Sequence, residues 1–223
     1  MERYSRNENT ISKKQQALLA KIKVLVIGAG GLGSHVIEGL ARMGIMEIGI
    51  CDYDVFEESN LNRQILALEK TIDQSKCQVA KERINAINSE IVVHAYQDKY
   101  PSKQILNDFE SYDIVIDCLD NIPIRKQLEV DCLKYDKKLI YGTIAGNFGY
   151  FGVISASNRL MDFQTETGDG IEKILGNPYY IVSVVASMQL LLLAKVIFEQ
   201  EYLKSGFYVI DLIDMSIDKI ELN

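Results

Sequence analysis

The 223 residues carry 31 acidic against 24 basic side chains, a formal charge of −7, which argues against a nucleic-acid surface, since that needs a basic stripe. Four cysteines, Cys51, Cys77, Cys118 and Cys132, include no C-x-x-C pair, so neither a zinc knuckle nor a disulfide framework is indicated and a reducing, cytoplasmic setting is expected. The length suits one α/β domain with a full core, and no repeat, low-complexity tract or linker splits residues 1–223.

The opening MERYSRNENT is polar and lacks the apolar stretch of a signal peptide. Residues 1–21 form a basic arm with Arg3, Arg6, Lys13 and Lys14, helical from Ser12 to Ala20. On charge alone a solvated arm is favoured. The alternative is an arm reaching an anionic ligand, including one in a neighbouring subunit.

Lys23 to Asp54 organises the chain. An apolar run, Val24 to Ile27, stops at Gly28, Gly30, Gly31 and Gly33, and Val36, Ile37, Leu40 and Met43 follow at helical spacing, which predicts strand, tight turn and helix. Such a turn needs positive φ, and bare backbone lets a phosphate approach the helix N-terminus, where free N–H groups and the dipole favour negative charge. The run Glu47 to Cys51 ends in Asp52, roughly 20 residues on, where a carboxylate can bind ribose hydroxyls. Nucleotide binding is the expectation. Close helix–strand packing is the alternative use of the same glycines.

Glu57, Glu58, Asn60, Asn62, Arg63 and Gln64 then make a polar cluster that reads as a loop or short helical turn beside the nucleotide. The planar donor fork of Arg63 suits phosphate oxygens; a surface salt bridge is the plainer reading. Asp73, Gln74 and Ser75 offer N-cap chemistry to a helix with the stripe Cys77, Ala80, Ile84 and Ile87. Lys76 falls in its first turn, where the dipole disfavours a cation unless phosphate lies opposite.

Ile91 to Tyr96 is a third strand, Lys103 to Phe109 a short helix, and Asp113 to Leu119 a fourth strand with the apolar centre of a buried parallel strand. A helix from Ile124 to Tyr135 and strands at Lys138 to Thr143 and Tyr150 to Ser155 follow. This alternation predicts a doubly wound, mostly parallel Rossmann-like sheet with right-handed crossovers. Its ligand crevice opens between the first and fourth strands, which brings Asp120 beside the glycine loop. A carboxylate near phosphates needs a cation between them, so Asp120 is a candidate Mg²⁺ ligand; the alternative is an N-cap for the helix starting near Pro123. Asn158 to Asn177 reads as a long loop or lid. Tyr180 to Phe198 is long enough to cross a membrane, but Gln189 and Lys195 interrupt it without basic flanks, so a buried helix is favoured. Strands at Phe207 to Ile213 and Lys219 to Leu222 close the fold.

In this order and spacing, RYSRN, GAGGLGS, DYDVFEESNLNRQ, Lys76, DCLDN and SMQLLLLAKVI closely resemble the ThiF/MoeB/HesA adenylyltransferases, relatives of the nucleotide-binding domain of ubiquitin-activating enzymes. The resemblance covers nearly the whole chain, and NLNRQ with DCLDN discriminates far better than the glycines. It implies binding of ATP with Mg²⁺ and adenylation of the C-terminal carboxylate of a small ubiquitin-like sulfur carrier ending in Gly-Gly. Gly31 is then the nucleotide-loop glycine, Asp52 the ribose acid, Asn60, Arg63 and Lys76 polyphosphate ligands beside Gln64, and Asp120 the metal ligand. Arg6 resembles the basic residue that family homodimers insert into the partner's site, which reverses the solvated-arm expectation.

Two departures bear on the chemistry. No cysteine follows Cys132, so the paired zinc ligands of many relatives are missing and no zinc is expected. The same gap removes a catalytic cysteine from the long loop, leaving an acyl-adenylate handed to another sulfur donor. The four cysteines read as packing residues. Two rival functions remain at this level: an NAD-dependent oxidoreductase, which the glycines and Asp52 permit but Arg63, Lys76 and Asp120 do not explain, and a non-catalytic carrier-binding scaffold. A different carboxylate, on a peptide or a modified nucleoside of RNA, is a variant of the main reading.

Overall fold

The computed structural model describes residues 2–159 and 175–222; most of the loop expected at Asn158 to Asn177 lies outside them. Eight strands form one sheet: β1 (Lys23–Ile27), β2 (Glu47–Cys51), β3 (Val92–Tyr96), β4 (Ile114–Asp117), β5 (Lys138–Ala145), β6 (Phe148–Ile154), β7 (Gly206–Asp211) and β8 (Ser216–Glu221). Their order is β3-β2-β1-β4-β5-β6-β7-β8, parallel from β3 to β5 and antiparallel from β5 to β8. The chain reverses direction after β5 for a local reason. Only Gly146 and Asn147 separate β5 from β6, and a parallel crossover needs about a dozen residues. Gly146 adopts φ +59° in that turn, and the second strand begins at Phe148, earlier than its sequence suggests.

The sheet divides the core, and β1 illustrates how. Val24 and Val26 join the cluster under helices α2 (Gly31–Met43), α3 (Lys76–Ile87) and α6 (Tyr179–Ile197), whereas Leu25 and Ile27 join the cluster with Tyr112, Leu128 and Leu139 on the opposite face. These four side chains are fully buried, each worth about 1.5–3 kcal/mol relative to exposure. α4 (Lys103–Asp108) and α5 (Ile122–Lys134) belong to that opposite face. Ser75, Ser102 and Asn121 cap α3, α4 and α5 with side-chain hydrogen bonds. The α5 cap is therefore Asn121, whose Oδ1 accepts from Ile124 N at 3.1 Å, and the alternative reading of Asp120 as that cap is not realised.

α6 has a mean hydropathy of 2.0, enough to raise the membrane question. It packs on α2, β5 and β6, and Gly39 lets the α2 backbone approach Leu190 so closely that a Cβ there would overlap it. Gln189 is fully buried and donates to Asp117 O at 2.8 Å, as a core helix would have it. α1 (Lys13–Leu19) follows a 3₁₀ turn at Glu2–Asn7 that periodicity does not announce. Tyr4 in that turn is buried, with its ring against Gly44 and its hydroxyl paired with Asn88 Nδ2 at 3.1 Å. The arm is thus pinned to the body, which corrects the picture of a wholly solvated segment.

Candidate functional site

A cleft of about 460 Å³ opens over the C-terminal ends of β1, β2 and β4, reaching β5, at the point where strand order reverses between β1 and β4. The four loop glycines do two different jobs. Gly28 has φ +97°, and a Cβ there would lie 2.5 Å from Cys118 O. Gly33 faces away from the cleft, and a Cβ on it would overlap Gly28 O. These two allow close packing of strand, loop and helix. Gly30 and Gly31 line the cleft, where added methyls would make only ordinary contacts with Gln64 and Val182. The packing reading thus holds at Gly28 and Gly33, while Gly30 and Gly31 leave room on the cleft lining.

Asp52 lines the cleft with both oxygens engaged: Oδ2 accepts from Ala29 N at 2.7 Å and Oδ1 from Asp54 N at 2.8 Å. Burial raises its carboxyl pKa, and the two backbone donors oppose that shift. Lys76 sits at the first position of α3 with its side chain only 8 % exposed, and its Nζ pairs with Asp54 Oδ2 at 3.2 Å. The loop after β2 turns through a 3₁₀ segment at Glu58–Asn60. Asn60 Oδ1 accepts from Glu57 N, and Arg63 Nη1 donates to Ser59 O at 2.9 Å and Asn62 Oδ1 at 2.8 Å. His35 supports this loop, with Nε2 at 3.3 Å from Arg63 O and its ring edge-on to Tyr179; burial lowers its pKa. Gln64 and Asn177 each bring a buried side-chain oxygen without a hydrogen-bond partner to the lining.

Asp120 is exposed and shares the cleft with Lys76, Asp52 and Asp54. No group of three or more potential metal-ligating side chains occurs among the described residues. Mg²⁺ is commonly held by one or two carboxylates together with substrate phosphates, a role open to the Asp120 carboxylate. Partly exposed backbone at Gly30 and Gly31, cations at Arg63 and Lys76, and a carboxylate together fit a nucleoside triphosphate with its cation. Arg6 stands apart: it is exposed and does not line this cleft.

Sequence reasoning missed several lining residues. Asp54 lay unremarked inside the DYD motif. Arg125 of α5, 4 % exposed, reaches the cleft floor and pairs with Asp117, which is fully buried. The signal for Asp117 was available, because an acid inside the otherwise apolar DIVIDCL strand needs a buried partner. Cys51 and Cys118 also line the cleft beside their packing roles.

Fold and cleft define a doubly wound α/β protein with its cleft at the topological switch point. The chain belongs to the ThiF family, whose match runs over residues 4–223. It is 38 % identical over 143 residues to the adenylyltransferase and sulfurtransferase MOCS3 of Culex quinquefasciatus, covering 63 % of this chain and 33 % of that protein. It is 33 % identical over 154 residues to SUMO-activating enzyme subunit 2 of Dictyostelium discoideum, covering 69 % of this chain and 23 % of that one. The chain thus spans about a quarter to a third of these curated relatives. Among solved structures, E. coli MccB with ATP superposes with a TM-score of 0.81 at 22 % identity, over 99 % of this chain and 72 % of MccB, a likeness of fold.

Proposed function

We propose that this chain uses ATP and Mg²⁺ to adenylate the C-terminal glycine carboxylate of a small ubiquitin-like sulfur-carrier protein, releasing pyrophosphate. The observation that carries the reading is the gathering of Arg63, Lys76 and Asp120 around the bare backbone of Gly30 and Gly31 in one cleft. An NAD-dependent oxidoreductase has no use for that set. A scaffold has no use for an exposed carboxylate and a buried lysine lining one cleft. The naming of curated relatives as adenylyltransferases, and of one as a SUMO-activating subunit, supports activation of a protein tail.

The chemistry asks little of the residues beyond charge and position. A terminal carboxylate, with a pKa of about 3.3–3.7, is ionised at neutral pH, so no general base is needed. Its oxygen attacks the α-phosphorus, the bond from that phosphorus to the bridging oxygen breaks, and pyrophosphate departs with the electron pair. Arg63 and Lys76 would bind the phosphate oxygens where negative charge accumulates. Lys76 would do so by sharing or exchanging its Asp54 partner. Asp120 would hold Mg²⁺, which when bound neutralises the leaving pyrophosphate. Asp52 would meet the ribose, and Arg6 would act from the second protomer of a homodimer. A cytoplasmic location accords with four unpaired cysteines, three of them buried.

ATP–pyrophosphate exchange with Mg²⁺ tests this, using each small Gly-Gly-ending protein of the source organism and the same proteins without the tail. Exchange that depends on one intact tail is expected. A second reading, activation of a peptide carboxylate, is favoured by the structural likeness to MccB with MccA. Exchange driven by a short peptide and by no folded carrier would select it.

A further inference from the structure

Beneath Asp120 lies a buried ion pair that neither nucleotide contact nor core packing accounts for. Asp117, the last residue of β4, is fully buried, and Arg125 Nε stands 3.7 Å from its Oδ2. Asp117 Oδ1 accepts from Leu119 N at 2.9 Å. Arg125 donates through Nε to Leu119 O at 2.8 Å, with Nη2 on the same oxygen and on Gly142 O of β5 at 3.1 Å. Its guanidinium also lies over the Tyr141 ring, 5.3 Å from the centroid.

Two partners from different elements therefore grip Leu119 from both sides, and Leu119 O belongs to the peptide that carries Asp120 N. Stability alone does not explain the arrangement. A buried pair recovers its desolvation cost only when all its lone pairs are satisfied, and Asp117 Oδ2 has no hydrogen-bond donor. Burial raises the Asp117 carboxyl pKa, with Arg125 opposing. What the pair does supply is a fixed exit from β4: Arg125 ties Leu119 O to Gly142 O, so the turn bearing Asp120 is held to β5.

We propose that Arg125 is a positioning residue: with Asp117 it fixes the Leu119–Asp120 peptide so that the Asp120 carboxylate meets the cation on the nucleotide phosphates. This rests on the metal role given to Asp120 above. Lysine at 125 keeps the charge that balances Asp117 but lacks a planar fork able to serve two carbonyls at once.

The test follows binding of a fluorescent ATP analogue to the full chain as Mg²⁺ is titrated, with thermal unfolding and exchange kinetics alongside. Arg125→Lys is expected to raise the Mg²⁺ concentration at half-saturation about tenfold, the usual scale when a residue orienting a ligand is lost. Binding in EDTA stays at the wild-type level, and kcat falls with little change in KM for the carrier. In an Asp120→Asn background Arg125→Lys adds no further shift, because both act through one carboxylate. If Arg125→Lys fails to fold, Arg125→Gln, whose single amide group cannot bridge Leu119 O and Gly142 O as the fork does, takes its place with the same expected shift. A wild-type Mg²⁺ midpoint in a folded Arg125→Lys protein, or a shift that adds in full to Asp120→Asn, would overturn the proposal. An Asp120→Asn protein with an unchanged midpoint would instead remove the metal role itself, and the clamp's purpose with it.

Discussion

Single residues in the glycine loop separate shape from binding. Gly28→Ala forces a side chain into positive φ and against Cys118 O, at a cost of roughly 1–3 kcal/mol, and should lower stability and nucleotide affinity together. Gly31→Ala meets only ordinary contacts. Its melting temperature should stay near wild type while ATP affinity falls, because the methyl occupies the approach to the helix N-terminus; a Gly31→Ala protein with full affinity would show that phosphate does not approach there. The cysteines give a prediction of a different kind. Burial pushes the Cys77 thiol up to about 12 and Cys51 higher still, whereas an unfolded thiol titrates near 8.5. The folded state thus keeps protons that the unfolded state gives up. This contribution is complete below about pH 8.5 and is lost as pH rises towards 12. Urea midpoints should fall between pH 8 and pH 10, and alkylation of Cys77 at pH 8 should require unfolding.

Among the elements, sequence pattern alone places β1, β2, β3, α4, β5, α5 and α6 within one or two residues of their observed bounds, and finds the stripes of α2 and α3. Elements held by tertiary partners were less legible. β4 stops at Asp117, two residues before its apolar run does, because the Asp117 side chain takes Leu119 N and turns the chain. The 3₁₀ turn at Glu2–Asn7 has no period to read and exists because Tyr4 finds a pocket against α2. In α6, Gln189 looks like an interruption of a hydrophobic run, yet its amide reaches Asp117 O across the core. Gln189→Leu keeps the volume and strands that carbonyl. It should destabilise by about 1–3 kcal/mol, read as a lower urea midpoint at unchanged slope; a neutral result would mean the bond contributes nothing net. Asn158 does comparable work at the sheet's far side, donating to Val153 O and Gly206 O and accepting from Gly206 N. No periodicity could reveal it, since it joins β6, just before it, to β7, 48 residues on.

For the molecule as a whole, the polar half of the cleft lining was legible in sequence because NLNRQ and DCLDN fall in the segments that follow β2 and β4, whose C-terminal ends open the cleft. The floor was not, because Arg125 meets Asp117 and Gly142 only once α5 and β5 are docked. Arg6 belongs to this scale too, being exposed and outside its own cleft. If it acts in trans, Arg6→Ala and Asp120→Asn proteins, each inactive, should regain exchange activity when refolded together. Roughly one site in four would then combine an intact cleft with an intact arm in a random mixture of symmetric dimers. No recovery, with mixed dimers present by mass, would return Arg6 to the surface. The contact between α2 and α6 has one more consequence, for how the chain is made. The face of α2 at Gly39 is covered by Leu190, about 150 residues later in synthesis, so at roughly 5–20 residues per second the nascent nucleotide half exposes that apolar face for many seconds. Ribosome-bound chains ending before residue 179 should therefore recruit chaperones that the complete chain no longer needs.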